Sequence, residues 1–175
     1  RNHSSAASDV YKRQVYEGLE KVKTEIKESE DTKPVLSYST SKAINEEQLK
    51  KSGKNYIILR LGSVYGYSTD SMRIDIMPNL FSKIASQNGT LKLFAGGRQI
   101  KSLVPLIDVA RCFKFMEEKN EFNSEIFNLT KDTLTVKEVA EVCKKHNPKI
   151  TLQETNDEVP NLSLIHISEP TRHRR

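Results

Sequence analysis

The chain is poor in residues that mark several classes of protein. It has no Trp, two Cys and seven Gly among 175 residues. Cys112 and Cys143 are too few for a disulfide framework and indicate a reducing compartment, for which we expect the cytoplasm. Both lie on apolar stripes of predicted helices, so we interpret them as core residues, and we predict no metal site. No run approaches the roughly 18 apolar residues of a membrane-spanning helix, and no secretory signal is recognisable, so we expect no membrane association.

The positive charge is concentrated at the two ends. Of the net charge of +5, residues 1–14 and 162–175 contribute +2 each, which leaves +1 for 15–161. Residues 4–14 (SSAASDVYKRQ) and 162–172 (LSLIHISEPTR) match translated adapters of transposon-based sequencing libraries. We therefore expect both ends to be non-native, and we take 15–161 as the biological fragment. Without the basic ends, the charge gives no reason to predict nucleic-acid binding.

Residues 15–161 alternate between helix and strand patterns. A helix is predicted from 38 to 52, and it leads into a nearly continuous apolar run at 55–61, which is typical of a strand buried on both faces. This order predicts an α/β fold. The further predicted elements are a helix at 75–85, a strand at 91–94, a turn at 96–97, an extended piece at 103–105, a helix capped by Asp108, a strand at 125–128, a helix opened by a Thr135–Glu138 capping box, and a strand at 150–153.

Tyr38 and Lys42 are the first candidates for catalysis. They are four residues apart on a predicted helix, which places both side chains on one face. An ammonium group beside a phenol stabilises the phenolate, so the pair can move a proton near neutral pH. Such a pair also arises by chance in a Lys-rich chain, so the surrounding sequence has to decide.

The surrounding sequence resembles a known family. PVLSYSTSKAINEEQL, IILRLGSVYG, LFAGGRQIKSLVPLIDVA and EIFNLTKDTLTVKEVAEVC follow one another as in the extended short-chain dehydrogenase/reductases, the NAD-dependent nucleotide-sugar epimerases and dehydratases. The resemblance covers essentially all of 15–161. It implies a partial Rossmann-like, NAD(P)-binding fold that lacks the N-terminal glycine-rich βαβ half and includes much of the C-terminal substrate subdomain. We expect such a fragment to bind cofactor poorly and to be inactive alone.

The resemblance also implies roles for individual residues. Tyr38 would be the catalytic acid/base, and Lys42 would hold the nicotinamide ribose and support the tyrosine. Gly62 and Ser63 would face the nicotinamide and the sugar, although Ser63 stands where the family usually has Asn, which leaves that substrate contact open.

Two basic residues are implied as substrate ligands. Lys101 stands where the family generally has an Arg that binds the nucleotide diphosphate. A Lys keeps the positive charge but cannot donate the two parallel hydrogen bonds of a guanidinium group. Arg73 lies in Met-Arg-Ile-Asp, which resembles a subset of the family. It would either reach the nucleotide sugar or remain a solvated surface charge, and the sequence favours neither.

The implied reaction is hydride transfer between the C4 position of a nucleotide sugar and NAD or NADP, by a full-length protein that we expect to be a homodimer. An epimerase or reductase is favoured over a dehydratase. The segment that would distinguish them precedes Val15, where the adapter-like residues stand. The alternative is a non-catalytic NAD(P)-binding member with a regulatory or structural role.

Overall fold

The computed structural model describes residues 10–12, 26–70, 72–119 and 122–157. Within these ranges the chain forms four helices and eight strands, joined in one place by a short 3-10 turn at Phe94–Gly97. The helices are α1 (Ser37–Lys51), α2 (Met77–Ser86), α3 (Leu106–Glu118) and α4 (Val136–His146). The strands are β1 (Val10–Lys12), β2 (Ile57–Leu61), β3 (Ser63–Tyr65), β4 (Thr90–Leu93), β5 (Ile100–Pro105), β6 (Glu125–Leu129), β7 (Asp132–Thr135) and β8 (Thr151–Glu154).

The strands form three small sheets that are mostly parallel. The first has the order β1-β2-β6 and is fully parallel, with Leu59 opposite Phe127. The second has the order β3-β5-β7, in which β3 and β5 are parallel and β7 is antiparallel to β5. The third pairs β4 with β8 in parallel. Parallel strands joined through helices confirm the predicted α/β fold.

The adapter-like N-terminal segment contributes to the first sheet. Residues 10–12, which belong to the segment that we expect to be non-native, pair through their backbone with Leu59–Leu61. A strand backbone needs only an open edge with free N–H and C=O groups, so pairing does not depend on where the segment comes from. That the segment is non-native stays a prediction.

Two apolar clusters hold the elements together. The first joins α2 and α4 to the β4-β8 sheet, and Leu91, Leu93 and Ala140 at its centre are fully buried. The second packs α3 on β2 and β6. The stripes predicted for α3 and α4 are confirmed as the faces that contact these clusters; they are Val109, Cys112, Phe113 and Met116 on α3, and Val136, Val139, Ala140 and Cys143 on α4.

The predicted helix starts are confirmed in one case and wrong in another. Thr135 caps α4, and it exchanges hydrogen bonds with Glu138 as in a capping box. Asp108 does not cap α3, because the helix begins at Leu106 with Pro105 as its N-cap. Asp108 lies in the first turn, where the helix dipole favours a carboxylate. Proline fixes the backbone φ at the helix entry and has no N–H of its own that would need a partner.

Asp108 instead pairs with two basic side chains. Its carboxylate accepts hydrogen bonds from Lys131 Nζ and from Arg111 Nη1, both at 3.1 Å. The hydrogen bond from Lys131, followed by the charge of Lys131 and the contact with Arg111, lowers the pKa of Asp108. This contact links the start of α3 to the loop between β6 and β7.

Candidate active site

A cavity of about 580 Å³ opens beside α2. Asn79, Ser82 and Lys83 lie on one face of α2, because they are spaced at i, i+3 and i+4. The opposite wall comes from the loop after β3 and from the segment that leads into α2. The lining residues are Tyr65, Gly66, Tyr67, Met72, Ile74, Asn79, Ser82 and Lys83.

Asn79 joins the two loops of this cavity. Its Oδ1 accepts the backbone N–H of Gly66 at 3.0 Å, and its Nδ2 donates to the carbonyl oxygen of Arg73 at 2.9 Å. Gly66 has a φ of 146°, a conformation that side chains disfavour, and a Cβ there would lie 3.1 Å from the Leu106 Cβ. The Asn79 side-chain amide and Gly66 therefore hold the two loops that form the cavity wall in place.

Tyr38 and Lys42 lie together at the start of α1. The first turn is closed by buried Ser39, which accepts the Leu36 N–H at 3.1 Å and donates to the Leu36 carbonyl at 2.9 Å. Lys42 Nζ lies 5.8 Å from the centroid of the Tyr38 ring. Tyr38 is 46% exposed. The predicted pairing of these two residues on one helix face is confirmed as geometry.

Arg73 lies next to the cavity in the chain and is paired with Asp75. Its guanidinium binds Asp75 through two hydrogen bonds, of 3.2 Å from Nε and 2.6 Å from Nη2. The hydrogen bond to Asp75 raises the pKa of Arg73, and electrostatic attraction to Asp75 and to Tyr38 adds to this increase. Met72 and Ile74, on either side of Arg73, both line the cavity. Arg73 itself is not among the described lining residues, but its two neighbours in the chain are.

Gly62 has a packing role at the end of β2. A Cβ at this position would lie 2.9 Å from the Ser102 carbonyl oxygen and 3.1 Å from Thr130 Cγ2. Its N–H donates to the Leu129 carbonyl at 3.0 Å, so this donor is already used by the sheet. Ser63 follows in β3, half-buried and opposite Leu103. The structure thus puts both residues at the carboxyl end of β2, the edge at which parallel sheets bind ligands.

Lys101 lies apart from the cavity. It is half-buried in β5, opposite Leu134 of β7, and it is not among the described residues that line the cavity. The lysine that does line the cavity is Lys83, which the sequence prediction missed. The signal was the helical spacing of Asn79, Ser82 and Lys83, but three polar residues on an exposed helix face are common, so spacing alone could not distinguish them.

Replacing Gly62 by Ala is expected to destabilise the chain because the added Cβ meets the Ser102 backbone, which cannot rotate away. The expected loss in the free energy of unfolding is about 3 kcal/mol. Gly53→Ala is the matched control, since nothing lies within 4 Å of a Cβ there and only its positive φ of 69° is unfavourable. Its expected loss is about 1 kcal/mol. Urea unfolding of both variants measures the difference, and an equal or smaller loss for Gly62→Ala would contradict this packing role.

The described residues contain no group of three or more His, Cys, Asp or Glu side chains that could hold a metal ion. Both cysteines are free thiols, and burial raises the pKa of each, which keeps them protonated. None of the helices in the described ranges is long and apolar enough to cross a membrane.

Comparison with known proteins gives a family match and structural neighbours. The model of the NAD-dependent epimerase/dehydratase family matches residues 11–130. UDP-glucose 4-epimerase from Thermotoga maritima, solved with UDP-glucose, aligns with a TM-score of 0.73 and 21% identity over 87% of this chain and 50% of its own. UDP-glucuronic acid 4-epimerase from Bacillus cereus, solved with NAD and a fluorinated sugar nucleotide, aligns with a TM-score of 0.71 and 20% identity over 86% of this chain and 48% of its own.

A dehydratase aligns over the same extent. dTDP-glucose 4,6-dehydratase from Bacillus anthracis, in complex with NAD, gives a TM-score of 0.65 and 20% identity over 85% of this chain and 49% of its own. No curated protein sequence matches the chain. The chain spans about half the length of the structures that it matches, and the predicted partial Rossmann-like fold is confirmed.

Proposed function

Because this chain belongs to the NAD-dependent epimerase/dehydratase family, we propose that it carries the acid/base pair and the substrate cavity of a longer enzyme that acts on nucleotide sugars. The main support for this proposal is the arrangement of Tyr38 and Lys42. Lys42 Nζ lies 5.8 Å from the Tyr38 ring centroid on a helix face where the phenol is half-exposed. A phenol beside an ammonium is an arrangement that proton transfer requires and that a purely structural role does not.

Tyr38 exchanges a proton with a sugar hydroxyl in the proposed reaction. A phenol holds its proton at neutral pH unless neighbouring positive charge stabilises the phenolate. Lys42 is the cation beside Tyr38, with its Nζ 5.8 Å from the centroid of the ring. We assign Tyr38 the role of base when the sugar hydroxyl loses its proton and of acid when the proton returns.

The cofactor that we propose is NAD or NADP. The residues present fit its nicotinamide ribose, since Lys42 offers donors to ribose hydroxyls, and Gly62 and Ser63 lie at the carboxyl end of β2. When bound, the cofactor would accept and return a hydride at sugar C4. Its pyrophosphate needs a glycine-rich turn before a helix. We assign that turn to an N-terminal half of the longer enzyme, so this chain alone would bind the cofactor weakly and be inactive.

The cavity beside α2 is the proposed site for the nucleotide sugar. Its volume suits a ligand of this size, and Tyr65, Tyr67 and Asn79 offer stacking surfaces and hydrogen bonds. A diphosphate needs positive charge, and Lys83 lines the cavity, while Arg73 stands in the chain between the lining residues Met72 and Ile74. Lys101 in β5 is not among the described lining residues, so the diphosphate contact that the resemblance implies for it would have to lie outside this cavity. We propose an epimerase or reductase rather than a dehydratase, acting as a homodimer in the cytoplasm.

Titration of the chain with UDP-glucose tests the cavity assignment. Lys83→Met removes one ammonium from the cavity and is expected to weaken binding about tenfold, the usual value of one charge-assisted hydrogen bond. Lys92→Met, at an exposed position of β4 away from the cavity, is the control and should bind as the wild type does. Calorimetry measures both. Equal affinities for the two variants, or no binding by the wild type, would contradict the assignment.

A further inference from the structure

α1 is anchored to the sheet through a buried ion pair. Glu46 and Arg60 are 1% and 3% exposed. Arg60 of β2 binds the Glu46 carboxylate in bidentate fashion, with Nε to Oε1 at 2.9 Å and Nη2 to Oε2 at 2.7 Å. The third guanidinium nitrogen donates to the Glu28 carbonyl at 3.1 Å. Two planar groups that meet edge to edge allow little change in distance or angle.

The loop before α1 extends this network to β6. The Glu28 carboxylate accepts the backbone N–H of Asn128 at 2.8 Å, and the Asn128 side chain donates to the Ile26 carbonyl at 2.8 Å. Arg60 and Asn128 are direct neighbours in the parallel β2-β6 pair. The ion pair is therefore part of a chain of hydrogen bonds that joins the helix, the loop and two strands.

Apolar packing contributes little to the position of α1. Within the described ranges, neither apolar cluster includes a residue of this helix. The buried residues of α1 are Ser39 and Glu46, both polar, whereas its Ile44 is 51% exposed. The other three helices of the described residues present an apolar stripe to a cluster, so among these four α1 depends most on polar contacts for its placement.

The geometry connects this pair to the catalytic residues. Only residues 52–56 separate the end of α1 from the start of β2, so the helix runs back along the strand. Tyr38 and Lys42 lie two turns and one turn before Glu46 in α1, and Gly62 and Ser63 follow Arg60 at the end of β2. A rigid contact between positions 46 and 60 thus sets the distance between the two halves of the site.

We propose that Glu46 and Arg60 are positioning residues, whose ion pair fixes α1 so that Tyr38 and Lys42 face the carboxyl end of β2. The role in catalysis rests on the proposed function, whereas the anchoring of α1 does not. A buried ion pair contributes little net stability compared with an apolar pair of similar size, so geometry is the better reason for its presence.

Hydrogen exchange of the whole chain tests the anchoring without any reaction. Glu46→Gln leaves Arg60 buried without its counter-charge and is expected to speed exchange of the α1 amides about 100-fold, with β4 and α4 unchanged. Glu47→Gln is the matched control, since the neighbouring Glu47 forms only an exposed pair with Lys50. Unchanged α1 exchange in Glu46→Gln, an equal increase in Glu47→Gln, or loss of protection throughout the chain would each overturn the anchoring role.

Steady-state kinetics of the longer enzyme test the positioning. Replacing both residues at once (Glu46→Leu with Arg60→Met) leaves no unpaired charge, so the thermal midpoint should stay near that of the wild type. We expect kcat to fall about 100-fold, because a displacement of the reacting groups by about 1 Å costs this much. KM for the sugar nucleotide should stay within about threefold, because no residue of α1 lines the cavity.

The two experiments separate the possible failures. If the double variant has the kcat and the stability of the wild type, the ion pair has only a structural role. This result would overturn the proposed positioning role of Glu46 and Arg60. If the wild-type enzyme turns over no nucleotide sugar, the proposed function and the catalytic part of this inference both fail. The exchange experiment still decides whether the pair anchors α1.

Discussion

Replacing Tyr38 by Phe in the longer enzyme is expected to lower kcat by at least about 100-fold, because general acid/base catalysis by one group accounts for about 10²–10⁴ in rate. The change removes a single hydroxyl from a ring that is 46% exposed, so folding should be unaffected. The lost proton transfer affects the transition state more than substrate binding, so KM for the nucleotide sugar should change less than kcat. Steady-state kinetics and a thermal melt of the same preparation measure both effects.

Tyr56→Phe is the matched control for this experiment. Tyr56 is half-buried just before β2 and is not a lining residue of the cavity. Its hydroxyl has no role in the proposed chemistry, so turnover should match the wild type. Full activity of Tyr38→Phe would show that Tyr38 is not the acid/base, whereas absence of turnover by the wild-type enzyme would favour the non-catalytic alternative.

Replacing Leu91 by Ala is expected to reduce the free energy of unfolding by about 3 kcal/mol, the usual cost of a leucine-sized cavity in a core. Leu91 is fully buried in β4, where it packs with Phe81 and Ala85 of α2. The same helix lines the substrate cavity on its other side through Asn79 and Lys83. We therefore expect weaker binding of UDP-glucose as well as lower stability, because α2 loses part of its support.

Val142→Ala is the control, because it shows how much the free energy of unfolding changes when an exposed side chain is shortened to Ala. Val142 is 51% exposed on α4, so its truncation should change the free energy of unfolding by no more than about 0.5 kcal/mol. Urea denaturation gives both values. A loss for Leu91→Ala as small as that for Val142→Ala would mean that the cluster around α2 is not packed as described.

Local patterns were sufficient to predict most of the fold. The helix predicted at 38–52 is observed at Ser37–Lys51, and the apolar run at 55–61 contains β2. These succeeded because helix and buried-strand periods are properties of consecutive residues. β7 (Asp132–Thr135) was missed, because its pairing with β5 is a contact between distant segments that leaves no alternating apolar pattern in four mostly polar residues.

The part of the candidate site that lies on one helix could be predicted from the sequence, whereas the parts that depend on contacts between distant segments could not. Tyr38 and Lys42 share a helix face, so their spacing was enough to predict their proximity. The loop that contains Arg73 is held by a hydrogen bond from the Asn79 side chain to the Arg73 carbonyl, and no local pattern predicts this contact. The Glu46–Arg60 contact spans 14 residues between a helix and a strand, and only tertiary packing makes the two charges meet.

The central claim is that the chain forms the acid/base and substrate half of an enzyme that moves a hydride to and from a nucleotide sugar. Its most direct test is to recover the complete reading frame from the source DNA, express it, and follow nicotinamide absorbance in a single turnover with a panel of nucleotide sugars. We predict transient reduction of the nicotinamide with at least one sugar, and loss of this signal in Tyr38→Phe. Absence of reduction with every nucleotide sugar, or an unchanged signal in Tyr38→Phe, would contradict the account.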